Sequence, residues 1–393
     1  MADGTSADGM AQPEQDRDGL LEGAGVRVTA SLRDASFLAP STSPGLWGKF
    51  DRFMTALSLR VQLWLFGWPT RLVSRSLDVF DGLGHRFEGT LLRRVLQWTI
   101  YPVFMVLTMV IGFELVENGI TARAFLGNVM MFAIYGAIFM PLERIMPWCR
   151  DWLRNKDDAS ADAMIFFLGK PLTGLVGDAA KLWTVAWAVE RIGPEIGLAI
   201  WPTSLHAWLQ VLLLVVVRDF LRYWYHRKMH EVPFMWRWHS VHHSSRRLYW
   251  FNGSRSHPLE SWGSTVLFAI PLVLVQAPAE IVFVAGLLGR TIGRFQHTNL
   301  DLKLGPLDYV FSTPVNHRWH HAPTSEGDCN YGGDIILWDH LFGTFYMPKD
   351  KEPPTRIGIG SVPDYPRDWW GMMKAPFIYH RLPKMAGYDR KGD

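Results

Sequence analysis

Long apolar runs alternate with charged segments along the chain, and these runs predict its helices. Residues 95–114 carry no charge before Glu114, and this length lets a helix cross a bilayer core of ~30 Å. A second run covers 125–142, and the short loop between the two predicts an antiparallel pair. Less regular apolar runs cover 163–189, 207–217 and 263–295. A break at 276–278 divides the last run as in a helical hairpin, so we expect about four to six membrane passes or re-entrant helices.

The segments around these runs divide the chain into five predicted regions. Residues 1–45 are too poor in large apolar side chains to offset their chain entropy, so we predict a disordered tail. Aromatic and basic residues mix between 46 and 94, as in amphipathic helices that lie on a membrane surface. A cytosolic helical hairpin is the alternative for that region. The remaining regions are transmembrane helices at 95–204, a catalytic domain at 205–350 and an interfacial C-terminal tail at 351–393.

Composition narrows the classes of function. The chain has 19 Trp, 23 Phe and 11 Tyr, and membrane proteins place Trp and Tyr at the lipid–water interface. The near balance of 40 basic and 37 acidic residues gives no reason to expect a nucleic-acid partner. Cys149 and Cys329 cannot form a disulfide framework. Three arginines before the first apolar run favour a cytoplasmic N-terminus: Arg86, Arg93 and Arg94.

Histidines carry the chemical signal, because ten of the 14 lie between residues 226 and 321. Eight of them form three clusters: His226 and His230; His239, His242 and His243; and His317, His320 and His321. Spacings of three and four residues place side chains on one helical face. Neutral imidazole binds Fe, Zn, Cu and Ni, whereas so many buried rings without metal would leave nitrogens unsatisfied. Eight ligands exceed the four of a tetrahedral zinc site, so the clusters indicate two metal ions.

The order HxxxH, HxxHH, HxxHH resembles the fatty acid hydroxylase / sterol desaturase superfamily, which consists of integral membrane di-iron oxygenases. Further motifs that resemble the family are D-x-x-x-Y-W-x-H-R at 219–227, His-Pro at 257–258, N-Y-G at 330–332 and W-D-x-L-F-G-T at 338–344. The resemblance covers roughly residues 205–350, with a departure at His340, where the family usually carries Arg. The metal ligands that it implies are His226, His230, His239, His242, His243, His257, His297, His317, His320 and His321.

The resemblance also implies the cofactors and the reaction. Two iron ions, with dioxygen as co-substrate, would hydroxylate or desaturate a C–H bond of a membrane lipid during lipid biosynthesis. An external ferredoxin or cytochrome b5-like donor with an NAD(P)H reductase would supply electrons, since we find no GxGxxG, HPGG or iron–sulfur cysteine motif. Sterols, fatty acyl chains, sphingoid bases, alkylglycerols and carotenoids are substrates in the superfamily. The tail motifs favour the sterol desaturase or alkylglycerol monooxygenase branch.

Two polar residues are predicted to assist catalysis. Asp219 lies two helical turns before His226, so its carboxylate could accept the second N–H of a ligand imidazole. An ion pair with Arg218 or Arg222 is the alternative. Asn316 could act in the same way, or could form a turn or a cap.

Together these features predict an all-α fold, a membrane-embedded helical bundle with a cytoplasmic, histidine-rich helical cap that holds a di-metal site. We expect a multi-pass protein of the cytoplasmic membrane in a bacterium or of the endoplasmic reticulum in a eukaryote. A membrane zinc hydrolase is one alternative, although the sequence after His230 fails the HExxH motif at Phe234. A metal-binding transporter is the other alternative, although it would place its ligands within the membrane spans, whereas these histidines mostly flank the apolar runs. A b-type cytochrome would give no reason for two HxxHH clusters.

Overall fold

The chain folds into helices and connecting loops, which confirms the all-α prediction. The structure, a computed structural model, describes residues 45–119, 124–169 and 200–382. The predicted disordered tail and most of the apolar run at 163–189 lie outside the described residues. Within the described residues, β-structure consists of two isolated bridges, Pro147 with Leu300 and Phe311 with Ile335.

The helices are numbered in chain order. They are α1 (Leu46–Gln62), α2 (Trp68–Phe87), α3 (Leu91–Glu117), α4 (Ala124–Ile145), α5 (Ala159–Met164), α6 (Ala207–Glu231), α7 (Pro233–His243), α8 (Pro258–Leu274), α9 (Ala279–Gln296), α10 (Pro314–His320), α11 (Leu337–Phe342) and α12 (Trp369–Ile378). A π-helical turn, Leu63–Gly67, joins α1 to α2, and another, Ile165–Gly169, follows α5. Short 3₁₀ turns lie at Arg150–Leu153, Asn252–Ser254, Gly305–Tyr309, Ser325–Gly327 and Tyr379–Arg381.

Helix α3 corresponds to the first predicted membrane pass. Thr90 caps its start by accepting a hydrogen bond from the N–H of Arg93 at 3.2 Å. Gly119 ends it with a φ of 67°, a left-handed conformation that glycine adopts without steric strain. Among the described residues, α3 is the one helix both long and apolar enough to cross a membrane. The expected number of passes stays a prediction.

An aromatic cluster holds the end of α9 against α3 and α4. Phe295 makes edge-to-face contacts with Tyr101, Phe104 and Phe139, with ring centroids 5.1, 5.4 and 4.8 Å away. Such pairs each contribute about 0.5–1.5 kcal/mol beyond their buried area. His297 follows two residues after Phe295, so this cluster fixes the position of one predicted ligand.

The first two histidine clusters meet because α6 and α7 form a hairpin. Val232 alone separates the two helices, and its N–H donates to the carbonyl of Lys228 at 2.9 Å. Pro233 then begins α7, where its missing N–H leaves no helical hydrogen bond unmade. The last turns of α6, with His226 and His230, therefore lie against α7.

Candidate metal centre

Nine of the ten predicted ligands gather in two adjacent groups of imidazole nitrogens. Within each group, the candidate ligand atoms lie within 4.8 Å of one another. Group A consists of His226, His230, His239, His243 and His320, and group B consists of His242, His297, His317 and His321. The rings of groups A and B are almost all buried.

The two HxxHH clusters are each divided between the groups. In the cluster on α7, His239 and His243 join group A and His242 joins group B. In the cluster that begins on α10 the division is the opposite: His317 and His321 join group B, and the middle histidine, His320, joins group A. Each HxxHH cluster, from one face of its helix, thus supplies ligands to both group A and group B.

Hydrogen bonds outside the groups fix the orientation of five rings. Each ring donates its Nδ1–H to an oxygen: His226 to the Tyr331 carbonyl (2.8 Å), His239 to Glu260 Oε1 (2.9 Å), His242 to the Arg255 carbonyl (2.9 Å), His297 to Asn252 Oδ1 (3.0 Å) and His320 to the Cys329 carbonyl (2.8 Å). Oxygens of this kind only accept hydrogen bonds. The neutral rings are therefore the tautomer whose Nε2 carries a lone pair, and those lone pairs point into the groups.

The Nε2 atoms of facing rings lie at distances that suit two ligands of one metal ion. Nε2 of His226 lies 3.0 Å from Nε2 of His239, and Nε2 of His297 lies 3.0 Å from Nε2 of His317. Two nitrogens bonded to one metal at about 2.1 Å and near a right angle lie about 3.0 Å apart. The buried Nε2 of His320 has no hydrogen-bond partner among the described residues. The all-imidazole donor set therefore fits metal ions of the first transition row.

The electrostatics of the site keep the rings neutral. Burial, and after it the charge of neighbouring rings, holds the pKa values of His243, His320 and His321 well below the ordinary value of 6.5. A metal ligand must be deprotonated, so the environment prepares these rings to bind metal at neutral pH.

Asp219 is close to the site, but its contacts differ from the prediction that it binds a ligand ring. Its Oδ1 accepts the backbone N–H groups of Gly333 and Asp334 at 2.9 and 2.7 Å. The second nitrogen of His226 is instead satisfied by the carbonyl of Tyr331 in the same loop. Asp219 thus positions the loop, and the ion pairs of Arg218 and Arg222 are made by Asp334.

Asp339 of the W-D-x-L-F-G-T motif holds the other side of this loop. Its carboxylate accepts the N–H groups of Tyr331 and Gly332, each at 2.7 Å. The loop between Cys329 and Asp334 supplies the carbonyls that orient His226 and His320. The N-Y-G and W-D motifs therefore act through the backbone of this loop.

Asn316 and His257 also depart from their predicted roles. Asn316 accepts the N–H of Thr313 at 2.9 Å and donates to the carbonyls of Asp308 and Phe311, so it caps α10, the alternative weighed above. His257 lies outside both groups of nitrogens. One of its nitrogens accepts the N–H of Leu259 at 3.1 Å and the other donates to the carbonyl of Met373 at 3.2 Å. Both nitrogens are engaged with the backbone, so the structure gives His257 a capping contact and no ligand position.

Two residues that orient ligand rings were not predicted from the sequence. Glu260 accepts the Nδ1–H of His239, and Asn252 accepts that of His297. Glu260 could have been noticed as the one acidic residue of the apolar segment 258–274, since a buried carboxylate needs a partner. Asn252 lies in a loop and carries no such signal.

Comparison with known proteins identifies the family. The sequence model described as fatty acid hydroxylase matches residues 211–344, which contain both groups of histidines. The ornithine lipid hydroxylase OlsE of Rhizobium tropici is 34% identical over 260 residues, 65% of this chain and 77% of that protein. The chain belongs to the fatty acid hydroxylase superfamily. It is an oxygen-dependent enzyme of lipid hydroxylation or desaturation.

Other members of the superfamily are similar over shorter stretches. An alkylglycerol monooxygenase of Xenopus tropicalis is 32% identical over 224 residues, 56% of this chain and 47% of that protein. Methylsterol monooxygenase 1 of Rattus norvegicus is 30% identical over 131 residues, 33% of this chain and 44% of that protein. The alignment thus spans less than half the length of these two relatives. No solved structure is significantly similar to the chain. The substrate classes predicted from the sequence do not include ornithine lipids.

Proposed function

We propose that this superfamily member is a multi-pass membrane enzyme that holds two iron ions and uses dioxygen to hydroxylate a lipid. The observation that carries the proposal is the arrangement of nine imidazole nitrogens in two adjacent groups. Five of these rings direct an Nε2 lone pair inward because an outer oxygen binds their Nδ1–H. Group A would hold one ion and group B the other.

Bound iron would supply the reduction of dioxygen and the removal of hydrogen from an unactivated carbon. One oxygen atom enters the C–H bond as a hydroxyl group, and the other leaves as water with two protons and two electrons. The protein contributes a set of neutral ligands whose side chains are almost all buried, which limits water at the site. Its cavity walls position the carbon that reacts.

The names of the relatives favour hydroxylation as the outcome. The two relatives with the longest alignments given above carry the names hydroxylase and monooxygenase. These names support a reaction in which the lipid substrate of this chain receives an oxygen atom. Electrons would come from a separate ferredoxin or cytochrome b5-like donor with its reductase.

The membrane topology belongs to the same proposal. Residues 46–94 would lie on the membrane surface, 95–204 would cross it, 205–350 would form the catalytic domain on the cytoplasmic side, and 351–393 would return to the interface. The exposed aromatic residues of α1, α2 and the π-helical turn between them support the surface location, since Trp47, Trp64 and Trp68 are 66, 75 and 59% exposed.

The test combines metal analysis with product analysis on the full chain in detergent. After anaerobic loading with ferrous iron, we expect two iron ions per chain. With a chemical reductant, a lipid extract and isotopically heavy dioxygen, we expect one heavy oxygen atom in the product by mass spectrometry. A product that loses two hydrogen atoms and gains no oxygen would replace hydroxylation with desaturation.

Zinc content provides the contrasting result. A zinc hydrolase would release fatty acid from lipids without consuming dioxygen and would retain zinc after the loading step. Full activity of the zinc-loaded protein under argon would therefore reject the proposal.

A further inference from the structure

A cavity of about 430 Å³ opens beside both groups of histidines. Its wall contains His226 and His239 of group A and His242, His297 and His317 of group B. The rest of the wall comes mainly from α6, α8 and α9. This position, adjacent to both groups, makes it the space in which a substrate of the proposed enzyme would present its reacting carbon.

The part of the wall that α6 forms carries two arginines on the same helical face as the predicted metal ligand His226. Arg218, Arg222 and His226 follow one another at intervals of four residues and all line the cavity. Residues at this interval are neighbours on one helical face, about one turn apart. Asp334, which is fully buried, binds both guanidinium groups. One carboxylate therefore faces two cations on this wall.

The wall from α9 repeats this arrangement. Gly286, Arg290 and Arg294 are spaced by four residues and line the cavity, and His297 follows one turn after Arg294. Gly286 and Gly293 lack side chains at this face, which leaves room between the helices. Arg290 forms no salt bridge with any described residue, and its side chain is partly exposed in the cavity.

Five arginines and one carboxylate, Glu260, line this cavity, and this excess of positive charge is unusual for a space that receives a lipid. A hydrocarbon chain offers no partner to guanidinium groups, and covering them with apolar atoms is unfavourable. Metal ions held by neutral imidazoles add more positive charge beside them. An anionic group with oxygen acceptors satisfies this wall, because guanidinium binds carboxylate and phosphate through paired hydrogen bonds.

We propose that Arg290 of α9, flanked in this wall by Arg218, Arg222 and Arg294, binds the anionic headgroup of the lipid substrate and places a carbon near that headgroup at the metal centre. The proposal rests on the proposed function and adds the substrate class, a lipid with a carboxylate or phosphate group. One to two helical turns separate the arginines from the ligands, about 5–11 Å along the axis. The oxidised carbon thus lies in the part of the lipid next to the anionic group, within roughly 11 Å of it.

Equilibrium binding without turnover tests this inference. The full-length, iron-loaded protein is placed in nanodiscs under argon with one of three lipid probes: an N-acyl amino acid with a free carboxylate, phosphatidic acid, or neutral diacylglycerol. We expect at least one anionic probe to bind roughly tenfold or more tightly than diacylglycerol, the effect of one hydrogen bond to a charged group. Tighter binding of the N-acyl amino acid would identify a carboxylate as the group that is recognised, and tighter binding of phosphatidic acid would identify a phosphate.

Variants of Arg290 make the test specific. Arg290→Gln should weaken binding of the preferred anionic probe roughly tenfold and leave diacylglycerol binding unchanged, whereas Arg290→Lys, which keeps the charge but loses the paired hydrogen bonds, should give a smaller loss. Arg356→Gln, at an exposed arginine that lines a different cavity, is the matched control and should have no effect. Equal binding of all three probes, or equal binding by wild type and Arg290→Gln, would overturn the inference. Iron content is measured on the same samples, so a failure of the proposed metal site is seen separately from a failure of lipid recognition.

Discussion

The rings of His243 and His321 stack face to face, with centroids 4.3 Å apart and planes inclined by 24°. His243 belongs to group A and His321 to group B, so the two groups share a wall of imidazole. The stacked pair joins α7 to the end of α10, two elements 78 residues apart in the sequence, as the numbers 243 and 321 show. A change in either group is therefore expected to disturb the other.

Removal of His320 should weaken metal binding in group A. Its Nε2 is buried and without a hydrogen-bond partner among the described residues, and the Cys329 carbonyl fixes its tautomer. For His320→Ala we expect metal affinity to fall by more than the ten- to hundredfold that is typical for loss of an outer partner. Elemental analysis after gel filtration measures this. His340→Ala is the control, since His340 is exposed and bonds to Tyr309 away from both groups; equal iron in both variants would contradict the assignment.

Glu260 should act on the metal through His239. Its carboxylate fixes the ring of His239 at 2.9 Å and makes that ligand more basic. We expect Glu260→Ala to lower metal affinity about ten- to hundredfold, and Glu260→Gln to lower it less because the amide oxygen can still accept the hydrogen bond. Competition with a chromophoric chelator gives the affinities. Glu280→Ala, an exposed acidic residue at the start of α9, serves as the control. Unchanged affinity in Glu260→Ala would show that the contact has no influence.

Loss of Asp219 should loosen the loop that orients the ligands. In Asp219→Ala the buried N–H groups of Gly333 and Asp334 lose their acceptor, which typically destabilises a fold by about 1–3 kcal/mol. The Tyr331 carbonyl would then hold His226 less firmly, so metal content should fall as well. Thermal unfolding and metal analysis measure the two effects. An exposed-site variant, Asp350→Ala, should change neither quantity, and wild-type stability in Asp219→Ala would refute the role given to this carboxylate.

Acid should destabilise the metal-free protein. Burial and neighbouring rings hold the pKa of His320 and His321 well below 6.5 in the folded state, whereas the unfolded chain takes up these protons near pH ~6.5. Below that pH the unfolded state binds more protons than the folded state. The free energy of unfolding therefore decreases as pH falls, by about 1.4 kcal/mol per pH unit for each such ring.

Chemical denaturation of the metal-free protein at pH ~7.5 and ~5.5 checks the sign of this effect. In His320→Gln, which lacks one of the titrating rings, the free energy of unfolding should change less between the two pH values. Equal or higher stability at the lower pH would contradict the inference that these rings are buried and neutral.

Much of the site was predictable because its signals are local. Intervals of three and four residues place histidines on one helical face whatever the rest of the fold does. The capping of α10 by Asn316 and the hairpin at Pro233 are also local, and short-range hydrogen bonds and proline geometry account for them. His257 lies outside both groups and contacts the backbone at the start of α8, a position for which a His-Pro pair is equally suited.

The sequence by itself determined the helical fold and the histidine spacings, which depend on neighbours within about two helical turns, and the family resemblance, which depends on the order of such local motifs. Only the tertiary structure decided how the histidines divide between groups A and B and which oxygens orient them. His226 and the Tyr331 carbonyl are 105 residues apart, and Arg218 and Asp334 are 116 apart. Contacts at such separations arise when packed helices bring distant loops together, and no local spacing encodes them. The arginine-lined cavity has the same origin, because its two walls meet only when α6 packs beside α9.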